Sequence, residues 1–187
     1  MKQGQRIALV GNSTAERMNL FGHLETRLQM RLSDRQPMIR NFGWPADEVG
    51  IQQRPGNYTL IDDPLKVFGP DLFFCFFGFN ESYAGNAAET LAGFKADYRA
   101  YIQKQIKEFT LDGRVPTFVL VTPIAFEVTG NQLQPDGSRE NDQLAAYSKA
   151  VCELGESDGH RVVDLYEFTL AAFEQAGGAQ YTINGIH

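Results

Sequence analysis

The sequence predicts an α/β protein, a three-layer, doubly wound parallel sheet of five strands with helices on both faces. Two observations carry that expectation. Apolar runs of strand length alternate along the chain with stretches whose apolar residues recur every three or four positions, and such alternation builds parallel sheets with crossover helices. The run Leu72-Phe73-Phe74-Cys75-Phe76-Phe77 is apolar at every position, as a strand must be when helices cover both of its faces.

Taken in order, Arg6 to Val10 is the first strand, ended by Gly11, and Met18, Phe21, Leu24, Leu28 and Leu32 then repeat at three and four, predicting one helix from Ala15 onward. Met38 to Phe42 is a second strand, stopped by Gly43-Trp44-Pro45, and Ile51 to Asp63 reads as a long polar loop around Pro55-Gly56. Asp71 to Phe77 is the third strand and, being apolar throughout, the centre of the sheet. Leu91, Phe94, Tyr98, Ile102, Ile106 and Phe109 share one face of a long helix that Asp112-Gly113 ends. Thr117 to Val121 is a buried fourth strand, and residues 123–139, rich in Gly, Pro and Asn, form a loop. Leu144, Tyr147, Val151 and Leu154 mark another helix, and Arg161 to Leu165 is the fifth strand. No repeat or linker divides the chain, so residues 1–187 read as a single domain, expected to be excised from a longer protein.

Composition narrows the function. With 43% apolar and 21% charged residues the chain is ordinary globular protein, not a disordered one. A net charge of −6 argues against nucleic acid, whose phosphates are bound by clustered Lys and Arg. The longest apolar run is far too short to span a bilayer, so no membrane insertion is expected. Cys75 and Cys152 read as small core residues and leave the compartment open, secreted or periplasmic if a signal peptide was trimmed and otherwise cytoplasmic.

In a doubly wound sheet, ligands sit beyond the carboxyl ends of the strands. The segments there are Gly11-Asn12-Ser13, Gly43-Trp44 and Gly78-Phe79-Asn80-Glu81, which converge on one edge. Each has two readings. Ser13 is either a nucleophile or, with Glu16, a capping box for the first helix. Gly43 is either a turn glycine or an amide aimed at an oxyanion, and Asn80 either an Asx-turn residue or a side-chain oxyanion donor. His23 and His160 read as solvated or packing residues with no metal-ligand spacing. His187 is either a frayed terminus or the base that a nucleophilic serine needs.

Taken together, Gly11-Asn12-Ser13, Gly43, Gly78-Phe79-Asn80-Glu81 and Asn184-Gly185-Ile186-His187 resemble, in their order, the motifs of the SGNH hydrolases, or GDSL-type esterases and lipases. The stretches Asn141 through Tyr147 to Val151 and Val162-Val163-Asp164-Leu165 look like that family's last helix and strand. The resemblance implies a flavodoxin-like sheet, Ser13 as nucleophile and His187 as base. It also implies an oxyanion hole of the Ser13 amide, the Gly43 amide and the Asn80 side chain, with neither cofactor nor metal. Three positions depart from the family pattern, which has Asp where this chain has Asn12, Glu81 and Asn184. The last matters most, because an amide supplies no negative charge to steady an imidazolium.

The aromatics Phe42, Trp44, Phe79, Tyr83, Phe126 and Tyr181 gather around the same edge. With Asn12, Trp44, Phe79 and Tyr83 are candidates for holding substrate, although such residues are more often core. The expected substrate is a small-molecule or carbohydrate ester, and the expected activity a carbohydrate deacetylase or short-chain esterase. The alternative is a catalytically impaired domain of the same fold that binds carbohydrate or a partner. A nucleotide or flavin binder is the weaker rival, since no Gly-x-Gly-x-x-Gly or P-loop occurs.

Overall fold

The computed structural model describes residues 2–52, 64–175, 177 and 179–187. Its centre is a five-stranded sheet of β1 (Arg6–Gly11), β2 (Met38–Asn41), β3 (Leu72–Phe76), β4 (Thr117–Val121) and β5 (Arg161–Val163). Every pairing is parallel and the strand order is β2-β1-β3-β4-β5, so the uniformly apolar strand is indeed the middle one. This is the flavodoxin-like order, with its switch point between β1 and β3.

The apolar runs follow from having two cores. Alternate residues of the three central strands point to opposite faces. Ala8, Val10, Phe73, Cys75, Phe118 and Leu120 enter one core, against Phe94, Tyr98 and Ile102 of α4 (Ala87–Phe109) and Tyr147, Val151 and Leu154 of α5 (Ser138–Asp158). Ile7, Leu9, Leu72, Phe76, Val119 and Val121 enter the other, against Ala15 and Met18 of α1 (Ser13–Phe21) and Leu165 of α6 (Leu165–Glu174). Phe73 is fully buried between the rings of Phe109 and Phe118, and truncating it to alanine would cost about 3–5 kcal/mol. β2 alternates exposed and half-buried residues, as an edge strand does.

Two expectations need correction. The helix expected from Ala15 through Leu32 is two helices, α1 and α2 (His23–Arg31), because Gly22 takes a left-handed conformation at φ +62° and caps α1 by donating to the Met18 carbonyl. The break turns Phe21 out of the apolar stripe, leaving it 71% exposed and stacked on His23. The fifth strand ends at Val163, where Asp164 caps α6 by accepting from the Tyr166 and Glu167 amides. A short helix, α3 (Pro64–Phe68), precedes β3. From residue 53 on, the loop expected over Ile51 to Asp63 lies outside the described residues.

Candidate active site

Local backbone chemistry presents Ser13. Gly11 ends β1 at φ +117°, and a Cβ there would lie 2.1 Å from the Phe76 carbonyl oxygen, so only glycine lets β1 run this close to β3. The next residue, Asn12, is buried and caps α1, its Oδ1 accepting from the Thr14 amide at 3.0 Å. This corrects the capping-box reading. With the cap filled by Asn12, Ser13 becomes the first helical residue, and its hydroxyl forms no hydrogen bond among the described residues. As the first residue of the helix, its amide belongs to the set that intrahelical bonding leaves open, at the positive end of the helix dipole.

Gly43 approaches that same turn. A Cβ on it would fall 2.5 Å from the Glu16 nitrogen and 2.8 Å from the Ala15 Cβ, so close packing, not a left-handed backbone, demands glycine there. Its amide, however, donates to Asn41 Oδ1 at 2.8 Å, while Asn41 Nδ2 donates to the Ala15 carbonyl. The amide expected in an oxyanion hole thus already has an acceptor, and a second one would have to share it. Asn41, unmarked by any motif, ties β2 to α1.

Asn80 begins the turn after β3 and donates one amide proton to the Asp47 carbonyl at 3.1 Å, leaving the other available. Glu81 holds this turn in place. Its buried carboxylate accepts from the Val49 amide and the Gly78 amide, both at 2.8 Å, joining the β2 loop to the β3 loop. Burial pushes the Glu81 carboxyl up to about 7 against the pull of those amides. Trp44 is exposed and donates its amide to the Gly11 carbonyl. Phe79 and Tyr83 are in ring contact at 5.4 Å, the first half-buried and the second exposed. Phe126, by contrast, is core.

His187 is not frayed. Gly185 runs at φ +87° directly over the Phe126 ring, where a Cβ would meet the ring carbons at 2.4 Å. The Glu127 amide donates to the Gly185 carbonyl, and the buried Glu127 carboxylate accepts from the amides of Tyr181 and Thr182 and from the Thr182 hydroxyl. The imidazole is half-buried, and its pKa is held below the usual value by burial and by Arg17, with Glu16 opposing. Both charges belong to the first turns of α1, so the ring lies within electrostatic reach of the helix that Ser13 opens. No hydrogen bond joins it to Ser13.

Asn184 meets the imidazole in an unfavourable sense. Its Oδ1 accepts from the His187 amide at 3.0 Å and the Ile186 amide at 3.4 Å, which fixes the orientation of the side chain. Nδ2 then lies 3.2 Å from His187 Nδ1 and can only donate to it. The neutral ring so held carries its proton on Nε2. Among the described residues no group of three or more His, Cys, Asp or Glu side chains could hold a metal ion, and no helix is long and apolar enough to cross a membrane.

A cleft of about 480 Å³ opens beside Gly11, Gly43 and Trp44, with Phe77, Tyr101 and Gln105 among its walls. Neither Ser13 nor His187 lines it. The residues most easily missed in the sequence are Asn41, Glu81 and Glu127. Only Glu81 had a signal, its place in Gly78-Phe79-Asn80-Glu81.

The fold and these loops define the chain as a doubly wound α/β protein with a serine presented at the switch point. Similar solved structures say which proteins share that fold. A gut microbial diltiazem-metabolizing enzyme matches with a TM-score of 0.69 at 17% identity, over 100% of this chain and 43% of that one. The acetyl xylan esterase AlAXEase matches with a TM-score of 0.68 at 20% identity, over 97% of this chain and 90% of that one. Axe2, an acetylxylan esterase from Geobacillus stearothermophilus, matches with a TM-score of 0.64 at 17% identity, over 96% and 83%. Variants of Axe2 at a serine, a histidine and an aspartate are described as catalytic mutants. No family model matches the chain, and comparison with curated protein sequences finds no match. At these identities the likeness establishes the fold, which is the one implied by the SGNH resemblance.

Proposed function

We propose that this chain is a serine ester hydrolase of SGNH type, a carbohydrate deacetylase or short-chain esterase, with Ser13 as nucleophile and His187 as general base. The observation that carries the reading is the freedom of Ser13. Asn12 takes over the cap, so the serine's hydroxyl and helix-terminal amide are left without an intrahelical partner at the sheet edge, and the charges of Arg17 and Glu16 in the same helix act on the His187 imidazole. The acetylxylan esterases that share the fold, and the serine, histidine and aspartate whose variants are called catalytic in one of them, support this substrate class.

In the proposed reaction His187 Nε2 takes the Ser13 proton as Oγ attacks the ester carbonyl. The oxyanion is met by the Ser13 amide and the second proton of Asn80 Nδ2, with Gly43 sharing its amide as a third donor. The imidazolium returns the proton to the departing sugar oxygen, and water, activated by the same ring, releases the acid. Trp44, Tyr83 and Phe79 would border the sugar. The needed tautomer carries its proton on Nδ1, where it would face Asn184 Nδ2–H, so a slow enzyme is expected.

That same contact favours a second reading, a domain that keeps the fold and binds carbohydrate esters without turning them over. A serine-directed fluorophosphonate separates the two. Labelling of the wild type that vanishes in Ser13→Ala and weakens in His187→Ala supports the hydrolase, whereas a folded wild type that takes no label removes it.

A further inference from the structure

The β4–α5 loop contains a buried carboxylate that the proposed reaction does not use. Glu127 is 5% exposed, and among the described residues no cation pairs with it. Its Oε1 accepts from the Tyr181 amide at 2.8 Å, and its Oε2 accepts from the Thr182 amide and hydroxyl, both at 2.6 Å. Burial works to raise its pKa, but the Thr182 hydroxyl and the two amides outweigh burial and hold the carboxyl below its usual value. Charge-assisted bonds of this kind are short and strong, and here they all point one way, from the terminal segment into one side chain.

The anchor is rigid on its own side. Asn141 of α5 makes paired hydrogen bonds with Phe126, donating to its carbonyl at 3.0 Å and accepting from its amide at 2.8 Å, and the Tyr166 hydroxyl donates to the Asn141 carbonyl. On the other side, the Thr182 hydroxyl that donates to Glu127 also accepts from the Gly185 amide at 3.0 Å, while the Glu127 amide donates to the Gly185 carbonyl at 2.8 Å. Hydrogen bonds thus run from α5 to Phe126 and, across the Phe126–Glu127 peptide link, from Glu127 through Thr182 to Gly185, two residues before His187. The charges that act on the imidazole are those of Arg17 and Glu16, so Glu127 works on it through backbone position and not through its field.

We infer that Glu127 is the positioning residue of this site, the group whose paired bonds to Tyr181 and Thr182 hold the terminal segment so that His187 faces Ser13. The inference rests on the reading of Ser13 and His187 as the reacting pair. A carboxylate is required because both of its oxygens accept. Glutamine keeps the volume but must turn an NH₂ toward a backbone N–H or the Thr182 hydroxyl.

The test compares Glu127→Gln and Thr182→Val with wild type, Ser13→Ala and His187→Ala in hydrolysis of p-nitrophenyl acetate, with and without added imidazole. A base displaced by about 1 Å loses on the order of a hundredfold in rate. The expected result for Glu127→Gln is a kcat at least tenfold down, with KM within about threefold, and partial recovery in imidazole. His187→Ala should recover likewise and Ser13→Ala should not. A Glu127→Gln kcat within about twofold of wild type overturns the inference, as does a loss that imidazole leaves untouched in a protein melting like wild type. If Glu127→Gln does not fold, Thr182→Val, which removes the hydroxyl that donates to Glu127 and accepts from Gly185 and keeps the Thr182 amide, is judged by the same criteria. Should Ser13→Ala hydrolyse as wild type does, the esterase reading fails. Glu127 is then judged by diethyl pyrocarbonate modification of His187 and amide exchange at Tyr181 and Thr182. Faster reaction and exchange in Glu127→Gln support the clamp, and unchanged rates overturn it.

Discussion

If the proposed reaction holds, replacing Asn184 with aspartate should speed ester hydrolysis by this protein. The side chain is already in place for the exchange. Oδ1 keeps the amides of Ile186 and His187, and the second oxygen arrives where Nδ2 now stands, 3.2 Å from His187 Nδ1. The donor-to-ring contact becomes an acceptor for Nδ1–H, which puts the lone pair on Nε2 and adds a negative charge beside the developing imidazolium. In a serine triad of another fold, the reverse exchange lowers turnover about ten-thousandfold, or about 5.4 kcal/mol. Here Asn184 is exposed and the imidazole only half-buried, so water screens part of that effect. A gain of about a hundredfold in kcat, or about 2.7 kcal/mol, is the expected share. Steady-state hydrolysis of p-nitrophenyl acetate measures it, with KM expected to move little, since the new interaction grows only as the proton is transferred. A folded Asn184→Asp protein whose kcat stays within about threefold of wild type would refute the tautomer argument.

Three other outcomes are expected. Gly185→Ala puts a Cβ 2.4 Å from the Phe126 ring at a left-handed backbone angle, so about 3 kcal/mol is lost and Tm falls by roughly 10 °C; a melt within 2 °C of wild type by circular dichroism, on the order of the measurement's error, would contradict that packing. Burial and Arg17 hold the His187 pKa below the ordinary imidazole value, so the acid limb of kcat/KM should lie below that of a free imidazole. Arg17→Gln removes one of the two depressing causes and should move the limb to higher pH; a limb that stays or moves down argues against the action of Arg17 on the imidazole. Glu81, raised from about 4.5 to about 7, binds its proton more tightly folded than unfolded, so it stabilises the fold below about pH 4.5 and that contribution is lost as pH rises toward 7. The whole loss is on the order of 3 kcal/mol, of which about 2 kcal/mol falls between pH 5 and pH 7, and urea titrations at those two values should show that part in wild type but not in Glu81→Gln.

Much of the frame was legible in the chain because it depends on patterns that survive without tertiary knowledge. A strand buried on both faces has to be apolar at every position, so Leu72 to Phe77 announced the sheet's centre. The spacing of Phe94, Tyr98 and Ile102 likewise announced α4. Where the reading failed, a single residue's backbone decided. Gly22 divides one periodic stripe into two helices, and Asn12, not Ser13, caps the first, a difference of one position that frees a hydroxyl.

By itself the sequence determined the α/β class, the five parallel strands and the three strand ends where chemistry would gather, since strand and helix periodicity are local properties. Only the tertiary structure decided how those ends are held. It showed that Asn41 occupies the Gly43 amide, that Glu81 ties the Asn80 turn to the β2 loop, and that Glu127, 55 residues from Thr182, fastens the segment bearing His187. A buried carboxylate that bridges two loops leaves no periodic trace, because its partners are mostly backbone amides, which every residue but proline carries.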